Sequence, residues 1–181
     1  VNGVVNGNLT QTGPGGVTIR GIVNGNVIES EGGSVSIISG ASVLFGNVSE
    51  SGSGGINVQG GGTVEGNLLE AAAGDVNVTI AGLGALKGDV FEAGVGNVFI
   101  TTVSNNYEGS VVEQNGGSVD VTVGVGTSFK GDAEENGDGA AIATVNGTFE
   151  GNVIERGSGD LSTDGSGTFK GNTEHQTPGS C

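Results

Sequence analysis

Apolar residues come in pairs set four apart about a glycine: Val23 and Val27 about Gly25, Leu86 and Val90 about Gly88, Phe149 and Val153 about Gly151. The arrangement recurs along the whole chain. Anchored on Gly7, Gly25, Gly46, Gly66, Gly88, Gly109, Gly131, Gly151 and Gly171, successive copies lie 18, 21, 20, 22, 21, 22, 20 and 20 residues apart. Self-similarity at such a period is the mark of a stacked repeat. Nine copies, the last incomplete, leave no linker or second domain, so residues 1–181 are expected to form one domain.

Position −2 from the anchor is apolar in every copy, from Val5 and Leu44 to Tyr107, Phe129, Phe149 and Phe169. Position +2 is apolar from Leu9 to Val153 and breaks only at Thr173. By the two-residue period of extended chain, positions −2, 0 and +2 share one strand face. A glycine-rich arc follows, as in Gly52-Ser53-Gly54, and then a second strand such as residues 76–80 or 119–123. From position −2 to the first residue of that strand the distance is 12 in each complete copy (Val23 to Val35, Phe149 to Leu161), and all length variation falls later. Paired strands must keep register, whereas return loops are free to change length. The pattern predicts an all-β fold, a parallel β-solenoid (β-helix) of about nine coils of 20–22 residues. Each coil would run strand, Gly arc, strand, variable loop, and stack ~4.8 Å from the next.

Stacking turns each position into a column. Position −1 ends in Glu65, Lys87, Glu108, Lys130, Glu150 and Lys170, an alternating ladder that holds every lysine of the chain. A slip of one coil would set like charges together, so the ladder is expected to fix register, at ~1 kcal/mol or less per exposed pair. Position +1 reads Asn8, Asn26, Asn47, Asn67, Asp89, Ser110, Asp132, Asn152 and Asn172, a column in which stacked amides are expected to bond one another. At +3 stand Ile28, Leu69, Phe91, Val112 and Ile154. Alternation points them outward as a lateral apolar stripe, unless an early turn buries them.

Position +4 carries Glu29, Glu50, Glu70, Glu92, Glu113, Glu135 and Glu155. Alternation would point them inward, which unpartnered carboxylates do not tolerate. The strand is therefore expected to turn there and leave them on a corner. They would form either a solvated edge accepting arc N–H bonds or a column of Ca²⁺ ligands helped by arc acids such as Asp75, Asp138 and Asp160.

Composition changes the picture in three ways. Forty glycines with neither Met nor Trp would suit a fibrous or disordered chain, but 34% hydrophobic residues and a mean hydropathy of +0.02 favour a narrow β-branched core. A net charge of −15 argues against nucleic acid and anionic membranes as partners, and no run is apolar and long enough to span a bilayer. Catalytic chemistry is thin, with two arginines, Arg20 and Arg156, and one histidine, His175, in the final copy. No nucleophile–base pairing follows from these, and the chain is not expected to be an enzyme.

The strand, x-G-x-G arc and strand repeat with stacked Asn resembles the extracellular β-solenoid proteins: adhesin stalks and curli-type fibre subunits, without the Ser and Gln ladders of curli. It is also similar to the "VxGxV" coils of bactofilins, which polymerise. Val1-Asn2-Gly3 echoes Val5-Asn6-Gly7, and Thr177 to Cys181 are too few to cover a coil, so both ends are expected to be uncapped. The expected function is a structural subunit of an extracellular or cell-surface filament or matrix, partnered with itself head to tail and bundled through the +3 stripe. The alternative is the stalk or Ca²⁺-dependent binding module of a surface adhesin. Ice binding ranks below both, because Thr79, Thr101, Thr122 and Thr144 make one threonine column and the parallel one reads Asn77, Phe99, Asp120, Ile142.

Overall fold

The computed structural model describes residues 1–38, 42–82 and 84–176. Every regular element among them is a β-strand, and the strands form three parallel sheets running the length of a β-solenoid. The tail from Thr177 to Cys181, with its expected lack of a cap, lies outside the described residues.

Each coil has three strands rather than the two the pattern suggests. One coil runs Ser128–Lys130, then Ala133–Glu135, then Ala141–Val145. The anchor glycine is the corner between the first two, so positions −2 and +2 face the core from different sheets. Backbone conformation sets this break. Gly131 adopts φ +143°, and the anchors from Gly7 to Gly151 all lie between +135° and +156°, where a side chain is disfavoured. Among the described residues the first two sheets have nine strands each and the third has eight.

Register follows the repeat. Val64 pairs with Leu86, Leu68 with Val90 and Val76 with Val98, so the constant 12-residue module is what keeps all three sheets aligned. Inward residues of the three sheets, such as Val64, Leu68, Val76 and Val78, make one continuous core of mostly β-branched side chains. From Tyr107 onward position −2 is aromatic. Phe129 stacks on Tyr107 with ring centroids 4.6 Å apart and on Phe149 at 4.7 Å, and Phe149 stacks on Phe169 at 5.2 Å. The spacing is that of neighbouring strands, so a parallel in-register sheet stacks identical rings by default. The Tyr107 hydroxyl, whose ring is buried, donates to the carbonyls of Gly88 and Ser110 at 3.2 and 3.1 Å.

Candidate functional site

The +4 glutamates are not on a corner. The second-sheet strands end on them, as the sequence suggested, but strict alternation holds and all seven side chains point inward with 0% exposure. Arc backbone makes this possible. Gly52 N–H donates to Glu50 Oε1 at 2.8 Å, Ala72 to Glu70 at 2.9 Å, Gly94 to Glu92 at 2.7 Å and Asn115 to Glu113 at 2.8 Å. The same bond is made by Gly137 to Glu135 at 2.6 Å and by Gly157 to Glu155 at 2.5 Å, and Glu29 accepts from Glu31 and Gly33. Each carboxyl thus braces its own arc from within, which is half of what a solvated edge accepting arc N–H bonds would show. The solvated edge is the half that fails. Every Oε2 is sealed from solvent, and from Glu29 to Glu135 none meets a hydrogen-bond donor, while Glu155 Oε2 faces His175.

Burial and the stacked neighbours act on ionisation. Burial, followed by hydrogen bonds from Glu29 and Glu70, pushes Glu50 up to about 8. Burial and Glu70 do the same to Glu92, at about 8, and burial raises Glu135 to about 7. At Glu29 burial opposes ionisation, but the bond to Glu50 and the arc amides outweigh it and hold the carboxyl below its ordinary value. The Ca²⁺ reading finds little in this geometry. A calcium ion takes about six to eight oxygens, and among the described residues no three Asp, Glu, His or Cys groups converge to hold a metal. Asp75, Asp138 and Asp160 are exposed on the arc.

The +1 column is continuous, but its bonds differ from stacked amides. Each side-chain oxygen accepts the backbone N–H of the next coil: Asn47 N to Asn26 Oδ1 at 2.9 Å, Asn67 N to Asn47 at 2.8 Å, Asp89 N to Asn67 at 2.9 Å, Ser110 N to Asp89 at 2.8 Å. The link continues from Ser110 Oγ to Asp132 N at 3.3 Å and through Asp132 and Asn152 to Asn172. The position therefore needs only an acceptor oxygen, which explains why Asp and Ser replace Asn. A second ladder of this kind runs along the arc, where Asn97 N donates to Asp75 and Ser118 N to Asn97. Asn47→Ala should cost about 1 kcal/mol, one orphaned N–H, while Asn47→Asp stays near wild type; urea unfolding of the two variants checks this.

The −1 ladder has the predicted neighbours: Glu65 beside Lys87, Lys87 beside Glu108, Lys130 beside Glu150, Glu150 beside Lys170. Within this ladder, among the described residues, only Lys170 and Glu150 close to an ion pair, at 2.9 Å. The hydrogen bond and charge of Lys170 hold the Glu150 carboxyl below its usual value.

The +3 stripe divides. Ile28 and Leu69 are exposed at 37% and 36%, Phe91 and Val112 are half-buried, and Ile154 is buried. Ser49 and Glu134 interrupt the column. Ile154 stands between Glu134 and Glu174, beside an Arg156–Glu134 ion pair of 2.9 Å. Ile28, Leu69 and Phe91 instead floor an open groove of about 640 Å³ walled by Asn26, Asn47, Asn67 and Asp89. Thr79, Thr101, Thr122 and Thr144 pair in register on the third sheet, and Asn77, Phe99, Asp120 and Ile142 form the column beside them. No protein-family model, curated protein or solved structure matches the chain.

Proposed function

We propose that the chain is a structural subunit of an extracellular or cell-surface filament or matrix, assembled by end-to-end stacking of solenoids in the manner of curli-type or bactofilin fibres. The observation that carries this reading is the self-similarity of the core columns, which repeat in register from coil to coil in all three sheets. A coil of this kind is best continued by another coil of the same chain, which makes a head-to-tail contact between copies favourable. Head-to-tail pairing would set Thr168–Lys170 beside Val4–Asn6 and Thr173–His175 beside Leu9–Gln11.

The second reading is a spacer or binding module of a surface adhesin, and the groove over Ile28, Leu69 and Phe91 favours it. In a filament the same groove is the natural place for lateral bundling. Sedimentation velocity over a concentration series separates the two. Filament assembly gives species that grow far beyond the 17.5 kDa chain as concentration rises. A single 17.5 kDa boundary at every concentration would leave only the spacer.

A further inference from the structure

The buried acid column is longer than its seven glutamates. Gln11 holds the same position in the first coil, paired with Glu29, and His175 holds it in the last, paired with Glu155. Gln11 turns its amide into its own arc, with Nε2 donating to the carbonyls of Gly13 and Gly15 at 3.2 and 2.7 Å. His175 is half-exposed and brings Nε2 to 2.5 Å from Glu155 Oε2. The column thus begins on a neutral amide and ends on a group that can carry positive charge.

Between these ends the charge needs an owner. Neighbouring carboxylates ~4.8 Å apart and out of water repel each other strongly. Six such contacts together would outweigh the marginal stability of an ordinary domain. Among the described residues no lysine or arginine offsets them. Lys87, Lys130 and Lys170 are exposed on the first sheet, Arg20 is exposed at a third-sheet end, and Arg156 pairs with Glu134 outside. The third-sheet strands that pack against the column turn Val119, Val121, Ala141 and Ala143 inward, with Asp120 on their outer side. The arc acids Glu31, Asp75, Asp138 and Asp160 are exposed and only add negative charge. His175 meets Glu155 alone.

Protons fit where ions do not. The carboxyls stack in register on paired strands, Glu29 on Glu50, Glu50 on Glu70, Glu70 on Glu92, Glu92 on Glu113, Glu113 on Glu135 and Glu135 on Glu155, each with a sealed oxygen turned into the column. Two acceptors that face each other in a sealed space need a proton between them, as when two carboxyls share one site. We propose that the column is a proton-sharing ladder, in which Glu50, Glu92 and Glu135 hold protons in the fold and each donates to one stacked neighbour at a time, with His175 closing the solvent-facing end. The arrangement belongs to the single chain and holds whether or not chains stack.

The sign of the linkage is fixed by which state binds more protons. In the unfolded chain these three carboxyls lose their protons near the ordinary value of 4.5, and in the fold they keep them to about 7 or 8. Their contribution is full below 4.5 and is lost as pH rises through 7 to 8, so stability falls across that window. Ordinary carboxylates are already ionised there and do not contribute to the slope.

The test is proton release on urea unfolding of the wild-type chain at pH 6.5, with infrared detection of the carboxylic-acid C=O stretch in the folded state. The ladder predicts release of about three protons and a carboxylic-acid band in the folded protein. Both should vanish in the triple variant E50Q/E92Q/E135Q, whose amides keep a donor in place of the proton. Should that variant not fold, E92Q alone must lower the release by about one proton. No band and no release from folded wild-type protein would overturn the proposal. So would a thermal midpoint that Ca²⁺ raises and EDTA lowers without proton release, since the counter-charge would then be a metal ion.

Discussion

Replacing Gly131 with alanine is expected to lower the thermal unfolding midpoint by ~10 °C or more, because a domain of this size loses roughly 2–4 °C per kcal/mol. The corner glycine has φ +143°, and a Cβ there would lie 1.9 Å from the carbonyl oxygen of Gly109 and 2.5 Å from its carbon. Conformational strain alone is worth about 1–3 kcal/mol. The clash adds to it and has no soft way out, since Gly109 is itself a corner and donates its N–H to Lys130 O at 2.9 Å. Relief requires opening the spacing between two coils. Gly116 provides the control, because a Cβ there meets nothing within 4 Å and its φ is not positive. Gly116→Ala should stay within about 0.5 kcal/mol of wild type. Equal losses at the two sites would mean that the corners are not the close contacts described.

Phe129→Ala is the second large effect, an expected loss of about 3–5 kcal/mol in denaturant unfolding. The ring is fully buried and is sandwiched between Tyr107 and Phe149, at 4.6 and 4.7 Å. Its neighbours are held by their own strands and cannot collapse into the space, so most of the cavity should persist. Phe129→Leu refills much of the volume and should cost less than half as much. Equal costs for the two variants would argue that stacking matters more than volume.

The repeat made most of the fold readable. A constant 12-residue module fixes register, and register fixes columns, so the pairing of Glu65 with Lys87 and of Val76 with Val98 could be read from letters alone. What escaped was the corner at the anchor, since apolar residues at −2 and +2 are compatible with one straight strand or two strands meeting at a turn. The missed signal was the anchor itself, for a strand interior has no need of glycine in all nine copies. The glutamates escaped for the opposite reason. Alternation placed them inside, and the rule against buried charge overrode it; the arc amides and the stacked neighbours that make burial tolerable appear only in three dimensions. Gln11 and His175 were in view at the same position and gave a hint, as non-carboxylates at the ends of an acidic column. The fate of the +3 stripe needed the Glu134–Arg156 pair, which no spacing rule supplies.

Cryo-electron microscopy of the purified chain across a concentration series reads end-to-end stacking of solenoids without an intermediary. Stacking gives filaments with a continuous axial repeat of ~4.8 Å, unbroken in the first two sheets where one chain meets the next. Discrete rods about 40 Å long, nine coils and no more, at every concentration would contradict it.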